Sequence, residues 1–131
     1  MSKLQLYLIS FLLITSSLVH SASKNEIDES MYQAFLLITK KDFISSNAAY
    51  LAILEHENDM DLSQLSNIYN SLLELSYILD NKDDAKKYGN KLISIIKDEP
   101  DYVKAYERLK YRICSSQDWA KFRYIFIEHC G

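Results

Sequence analysis

The fold is decided by residues 61–97, which read DLSQLSNIYNSLLELSYILDNKDDAKKYGNKLISIIK. Apolar residues recur at steps of three and four over about Asp61–Leu79 and again over about Asp83–Lys97, and the polar residues 80–82 separate the two runs. Positions three and four apart share one face of an α-helix. The stretch therefore predicts two amphipathic helices that fold back on each other, and such a pair needs neighbours to cover its apolar face.

The same pattern recurs on both sides of this stretch. Tyr32, Tyr69 and Tyr106 lie 37 residues apart. Four further apolar columns keep this spacing: Met31/Ile68/Ala105, Phe35/Leu72/Leu109, Ala48/Ala85/Phe122 and Leu51/Tyr88/Ile125. Apolar positions that recur at one fixed interval are the sequence signature of a repeat architecture. We therefore expect the three tyrosines to have equivalent surroundings in three stacked copies.

Each copy is predicted to hold two helices. In the first copy they cover about Asn25–Thr39 and about Asp42–Glu57, and in the third copy the last helix covers about Gln117–His129. Pro100 separates the second copy from the third, because proline ends one helix and suits the first turn of the next. The chain is expected to be all-α, an array of three antiparallel helical hairpins. The copies lie at about 26–60, 61–100 and 101–131.

The pattern resembles the tetratricopeptide repeat, whose copies carry a large aromatic residue followed by Leu and open their second helix with Ala and then an aromatic residue. The matching residues are Tyr69, Leu72 and Ala85 in the second copy and Tyr106, Leu109, Asp118, Trp119, Phe122 and Phe126 in the third. The chain departs from the family in its longer period, since family copies have about 34 residues. It also departs at the usual glycine, where it has Leu36, Leu73 and Lys110. The resemblance implies a short α-solenoid whose concave groove holds a peptide or a helix.

Residues Met1–Ser21 are predicted to be a cleaved secretory signal. Lys3 precedes an apolar run, and Val19 and Ser21 stand three and one residues before a cut ahead of Ala22. A helix over residues 4–19 would be about 24 Å long, less than the ~30 Å of a bilayer core, which disfavours a membrane anchor. The mature chain is then a single domain, 22–131, in the periplasm or secreted, with no stable membrane insertion.

The charge of the mature chain argues against nucleic acid as a partner. Removal of Lys3 leaves a formal charge of about −4, whereas a nucleic-acid binder shows a basic face. The charge is uneven, with −7 over residues 22–101 and +3 over residues 102–131. Such an asymmetry can orient a partner or a second copy of the chain.

Cys114 and Cys130 are the two cysteines of the chain. An oxidising compartment favours a disulfide, which requires Cα atoms within about 7 Å of each other. An α-helix over Gln117–His129 would rise about 18 Å and separate the two cysteines. The alternatives are an intrachain bond with a short or bent last helix, two free thiols, and an intermolecular bond. We favour an intrachain disulfide that pins the C-terminal segment.

Lys104 and Arg108 stand one helical turn apart in the third copy. Two cations so placed can share one carboxylate, and the family resemblance implies a clamp for the carboxylates at the C-terminus of a peptide. Asn67, one repeat before Lys104, would add a hydrogen-bond donor, and Tyr111 would line the same groove. The alternative is an ordinary solvated basic face.

The last predicted helix carries apolar residues on several sides, among them Trp119, Phe122 and Phe126. A helix that ends a repeat array is expected to have one polar face. Either this edge is covered by its own aromatic packing, or it is an exposed patch that docks a partner or forms a homodimer through the C-terminal helix. The sequence supports both alternatives.

No residue pattern points to catalysis, to a cofactor or to a metal site. His56 lies between two glutamates but lacks the second histidine of the HExxH zinc motif. We therefore expect a non-enzymatic protein that binds another protein or a peptide, as an adaptor, chaperone or assembly factor for an envelope or secreted protein. The alternative is an inhibitor or immunity-type protein that blocks an exported enzyme or toxin.

Overall fold

The computed structural model describes residues 21–131, and all regular structure in this part of the chain is helical. The α-helices are α1 Lys24–Thr39, α2 Phe43–Ile53, α3 Leu62–Ile78, α4 Lys82–Ile96 and α5 Val103–Ser115. Three 3₁₀ segments connect or end them, at Leu54–Asp59, Pro100–Tyr102 and Gln117–His129. The predicted all-α fold is confirmed. The predicted signal Met1–Ser21 falls, except for Ser21, outside the described residues.

Short polar residues fix where the first four α-helices begin. The side chains of Ser23, Asp42, Asp61 and Asn81 each accept a hydrogen bond from the backbone N–H three residues further on. Each bond satisfies a donor that the first helical turn leaves unpaired. At Asp61 the capping is reciprocal, because its backbone N–H donates to the Gln64 side chain at 3.2 Å. These caps lie close to the helix starts predicted from the apolar pattern.

Left-handed residues turn the chain between α1 and α2 and between α3 and α4. Lys41 has φ 60° and Asp80 has φ 57°. The backbone N–H groups of Asp42 and Asn81, the next residues, donate to carbonyl oxygens five residues earlier at 2.9 Å and 2.8 Å. This is the long bond of a Schellman motif, which satisfies a carbonyl group at a helix end. The two turns therefore have the same local cause.

The spacing between the predicted copies is not uniform. The N-caps of the three second helices are Asp42, Asn81 and Ser116, so the intervals are 39 and 35 residues and not twice 37. The first helices α1 and α3, which carry Tyr32 and Tyr69, have their N-caps 38 residues apart at Ser23 and Asp61, and an offset of one residue rotates a position by about 100° around a helix axis. The expected equivalence of the tyrosines is therefore wrong for the first copy, because Tyr32 is 55% exposed whereas Tyr69 is 3% exposed.

The core runs along α3 and α4, which occupy the middle of the packing order. Helix α1 packs on α2, α3 on α4, and α5 on the last 3₁₀ segment, while α3 also contacts α1 and α2, and α4 also contacts α5. The buried apolar side chains of the two central helices include Ile68, Leu72, Leu73, Leu75, Ala85, Leu92, Ile93 and Ile96. Burial of one large apolar side chain contributes about 1.5–3 kcal/mol, so this pair of helices holds the others in place.

The C-terminal segment Gln117–His129 is helical over the predicted residues, but it is a 3₁₀ helix and not an α-helix. With three residues per turn, every third residue lies on one side of such a helix. Lys121, Tyr124 and Ile127 are accordingly exposed, whereas Phe122, one position along, is buried.

The predicted disulfide between Cys114 and Cys130 is present, with Cα atoms 5.5 Å apart. A straight 3₁₀ helix with the 13 residues of this segment would be about 26 Å long. The segment therefore bends back toward α5. The fully buried ring of Phe126 lies against the backbone of Gly89 and anchors the bend. The intrachain bond thus excludes the straight last helix of the predicted third hairpin.

Candidate functional site: a groove along α1, α3 and α5

A groove crosses the surface formed by α1, α3 and α5. It consists of two adjoining cavities of about 310 Å³ and about 410 Å³. Asn67 and Asn70 of α3 line both cavities, α5 forms the wall of the smaller one, and α1 forms the wall of the larger one. We define the α1–α3–α5 groove by the residues Tyr32, Phe35, Asn67, Asn70, Arg108 and Arg112.

Helix α3 lines the groove with Asn67, Asn70 and Glu74, and the Glu74 carboxylate is paired with Arg112. Its residues Ile68 and Leu72 are buried in the core, and Asn67 and Asn70 lie on its outer side, three residues apart and therefore on one face. An amide side chain offers both hydrogen-bond donors and an acceptor. These amides can therefore bond to the backbone of a bound peptide, and the carboxylates of Asp28 and Glu74 line the larger cavity beside them.

Two unpaired cations stand at the α5 end of the groove. Lys104 and Arg108 are exposed, and neither makes an ion pair with any of residues 21–131. Arg112, one turn further along α5, is already engaged, since it donates to Glu74 at 3.1 Å and to Asn70 at 3.3 Å. Lys104 and Arg108 are therefore the cations available to an incoming anion, and Arg112 ties α5 to α3.

Aromatic side chains stand at the α1 end. Tyr32 is 55% exposed and Phe35 is 50% exposed, and both line the larger cavity. The sequence did not identify them as groove residues. The 37-residue spacing aligns Tyr32 with Tyr69 and Phe35 with Leu72, and both of these second-copy residues are buried. Around the axis of α1, Tyr32 lies about 140–160° from the buried residues Ile27 and Ala34, but Phe35 lies only about 80–100° from them, so no single face of α1 would have marked both rings in the sequence.

The structure brings four of the predicted site residues together on the outer side of α5. Lys104, Arg108, Tyr111 and Trp119 line a third cavity of about 710 Å³. Arg108 also lines the smaller cavity of the groove, together with the predicted Asn67. Arg108 therefore connects the groove to this outer surface.

Trp119 is held firmly in that surface. Its ring lies 4.0 Å from the ring of Tyr77, measured between centroids, and the Arg112 guanidinium lies 5.0 Å from its centroid. Much of the indole is therefore already in contact with the protein. Tyr111, at 67% exposed, is the more accessible aromatic residue for a partner.

Phe122 and Phe126 do not form the predicted docking patch. Phe122 is 6% exposed and Phe126 is fully buried, because the bent segment turns both rings toward the core. Phe122 packs edge-on against Tyr77 at 4.8 Å between ring centroids. The edge of the molecule is thus covered by its own aromatic packing, and the exposed apolar residues there are Tyr124 and Ile127.

Burial raises the pKa of several tyrosines. Burial raises the pKa of Tyr50, which lines the larger cavity, and raises the pKa of Tyr77 to about 12. The hydroxyl of Tyr69 donates to the Glu57 carboxylate, and burial together with this carboxylate raises the pKa of Tyr69 above its usual range. At neutral pH these hydroxyl groups are protonated, and that of Tyr69 acts as a hydrogen-bond donor.

The residues around the groove are suited to binding through charge, amide hydrogen bonds and aromatic contact. Within residues 21–131, no group of three or more His, Cys, Asp or Glu side chains could hold a metal ion. In the same part of the chain, no helix combines the length and the apolar character needed to cross a membrane.

Comparisons with family models, with curated proteins and with solved structures find no match for this chain.

Proposed function

We propose that this chain is a protein-binding module that holds a segment of another protein in the α1–α3–α5 groove. The observation that carries the proposal is the pair of unpaired cations, Lys104 and Arg108, at the edge of a groove that Asn67 and Asn70 line along its whole length. Two cations one turn apart can share a carboxylate of the partner. The exposed rings of Tyr32 and Phe35 offer apolar contact at the other end, and aromatic residues are enriched at binding surfaces.

The proposed architecture is a short α-solenoid of three helical hairpins, similar to the tetratricopeptide repeat. Two observations support it: the pairwise packing of α1 on α2, α3 on α4 and α5 on the last segment, and the groove lined by the first helix of each pair. Arrays of this kind present a concave surface to a partner. The third pair differs because its second helix is bent and closed by the disulfide.

The size of the groove limits the segment it can hold. Packed helices lie about 8–10 Å apart, so the distance from α1 across α3 to α5 is roughly 18 Å. An extended peptide rises about 3.3 Å per residue and would cover this distance with about six residues. We expect an acidic side chain or a C-terminal carboxylate at Lys104 and Arg108, and an apolar side chain at Tyr32 and Phe35.

We place the protein in the periplasm or outside the cell, as an adaptor, chaperone or assembly factor for an envelope or secreted protein. The Cys114–Cys130 disulfide supports this location, because such bonds persist mainly in oxidising compartments. The composition of Met1–Ser21, which is typical of a secretory signal, supports it as well.

Affinity capture with charge-reversal variants tests the groove. The protein, expressed from its complete sequence, is used as bait in three forms: wild type, Arg108→Glu, and the control Lys86→Glu on the exposed side of α4. We expect the same partner with the wild type and with Lys86→Glu, and at least about tenfold less of it with Arg108→Glu, because a repulsive charge replaces an attractive one.

The captured partner then decides between roles. An equal yield with all three baits would show that the groove does not bind it. A partner that is an enzyme or toxin, and whose activity falls when the chain is added, would identify an inhibitor instead of an adaptor.

A further inference from the structure

The outer face of α2 is apolar and has no partner within residues 21–131. Helix α2 contains no charged residue, and its inner side packs into the core. On its outer side Ile44 is 75% exposed, Leu51 is 39% exposed, and Ala48 and Ala52 are also exposed. The steps of four, seven and eight residues from Ile44 place these residues on one stripe along the helix.

Helix α4 carries charged residues at exposed positions where α2 carries apolar ones. When the two helices are aligned at their N-caps, Ile44 corresponds to Asp83 and Ala48 corresponds to Lys87, and both charged residues are exposed. The solvent-facing side of a helix normally carries polar or charged side chains, and the side that packs on other elements carries apolar ones. The stripe on α2 therefore has the composition of a covered face.

We propose that the stripe is covered by α2 of a second copy of this chain, in an antiparallel pair around a two-fold axis at Ala48. A two-fold contact must be self-complementary. With Ala48 at the axis, Ile44 of one copy faces Ala52 of the other, so a large side chain meets a small one. Because the stripe carries no charged side chain, pairing the stripes of two copies buries no charge.

The charges at the two ends of α2 fit the same arrangement. Lys41 precedes the N-cap, Glu55 follows the last turn, and both are exposed. Neither makes an ion pair with another of residues 21–131. Both lie seven residues from Ala48, so the two-fold axis sets Lys41 of each copy against Glu55 of the other. A parallel pair would instead bring like charges together.

This dimer leaves the proposed binding function intact, because none of the stripe residues lines the α1–α3–α5 groove. It also differs from a homodimer through the C-terminal helix, whose Phe122 and Phe126 are buried. A single helix pair is a small contact, since a stable interface uses about 20–30 residues on each side. We therefore expect a weak dimer with a dissociation constant of about 1–100 μM.

Sedimentation equilibrium of the protein, expressed from its complete sequence and with its N-terminus identified by mass spectrometry, tests the pairing. Ala48→Asp places two like charges at the axis and should raise the dissociation constant about 30-fold or more. Its matched control on α4, Lys87→Asp, should leave the constant unchanged. Lys41→Glu or Glu55→Lys should each weaken the dimer about fivefold, and the double variant should restore it, because exposed ion pairs contribute modestly.

Cross-linking gives a second measurement that needs no destabilising charge. Ala48→Cys should form a covalent dimer on mild oxidation, whereas Lys87→Cys should not. The proposal is overturned if the chain stays monomeric at millimolar concentration. It is also overturned if Ala48→Asp leaves the dissociation constant of the dimer unchanged. Binding to phosphatidylcholine vesicles that is lost with Leu51→Asp assigns the stripe to a lipid surface and overturns it as well. Loss of a groove partner with Arg108→Glu leaves the dimer unaffected, so the two proposals fail separately.

Discussion

Replacing Gly89 with alanine tests how the C-terminal segment is held. Gly89 lies in the middle of α4, where alanine is favoured over glycine by about 1 kcal/mol. Helix propensity alone therefore predicts that the substitution stabilises the protein. The structure predicts the opposite sign, because a Cβ on Gly89 would lie 2.5 Å from Cε1 of Phe126 and still closer to its Cζ.

Neither side of this contact has room to move. Phe126 is fully buried, and Leu73 already lies 3.5 Å from the same Cβ position. Inserting a methyl group into a packed core costs about 1–3 kcal/mol, and expelling the ring would lose up to about 3 kcal/mol of apolar burial. After subtraction of the ~1 kcal/mol gained in helix propensity, we expect Gly89→Ala to lower the free energy of unfolding by up to about 2 kcal/mol.

Urea unfolding followed by far-ultraviolet circular dichroism measures this change, and the fluorescence of Trp119, the only tryptophan, reports on the C-terminal segment. Lys86→Ala, on the exposed side of the same helix, is the control and should change stability by less than about 0.5 kcal/mol. In a Phe126→Leu background the smaller side chain makes room, and Gly89→Ala should become neutral or stabilising. If Gly89→Ala stabilises the otherwise unaltered chain by the full ~1 kcal/mol of helix propensity, Phe126 does not pack on Gly89.

Two further substitutions test the same region. Replacing both Cys114 and Cys130 with Ser removes a cross-link between residues separated by 16 positions and should lower the free energy of unfolding by about 3 kcal/mol. A reductant should then have no further effect in urea unfolding, and an unchanged stability would contradict the role of the bond. Tyr77→Phe removes a buried hydroxyl without a hydrogen-bond partner in residues 21–131 and should raise the free energy of unfolding by about 1 kcal/mol. A decrease in the free energy of unfolding would show that the hydroxyl does have a hydrogen-bond partner. Burial raises the pKa of Tyr77 to about 12, above the ~10 of an unfolded chain. The stability linked to this group is therefore intact below about pH 10 and lost as the pH rises toward 12, and Tyr77→Phe should flatten that part of an alkaline unfolding curve.

The helix boundaries were predictable because their causes are local. Ser23, Asp42, Asp61 and Asn81 each cap a helix within three residues of their own position. The predicted ends are less accurate, since the α-helix α2 stops at Ile53, four residues before the predicted Glu57, and continues as a 3₁₀ helix. The turn at Asp80 likewise depends only on its immediate neighbours. Such features follow from the hydrogen-bonding needs of helix ends, which do not depend on the rest of the fold.

The register between the copies was not predictable, because tertiary packing sets it. Tyr32 and Phe35 keep the 37-residue spacing, yet α1 and α3 begin 38 residues apart and both side chains are exposed at the groove. The 3₁₀ course of Gln117–His129 also depends on distant contacts, namely the disulfide and the packing of Phe126 on Gly89. No periodicity within the segment itself reports those contacts.

Half of the six cations in residues 102–131 bind other parts of the molecule. Two of them bind α3 or its turn, Arg112 to Glu74 at 3.1 Å and Lys121 to Asp80 at 3.1 Å, and Arg123 donates to the Ser116 carbonyl within the C-terminal segment. Partly exposed ion pairs contribute about 1 kcal/mol or less each, so they orient the segment more than they stabilise it.

A partner of the groove therefore meets chiefly Lys104 and Arg108, a local pair of positive charges and not a broad basic field. Long-range steering by such a pair is weak at physiological salt, where the Debye length is about 8 Å. Affinity in the groove should consequently depend on close contact with these two side chains and fall only modestly as salt is added. Arg108→Glu should then remove most of the salt dependence that remains.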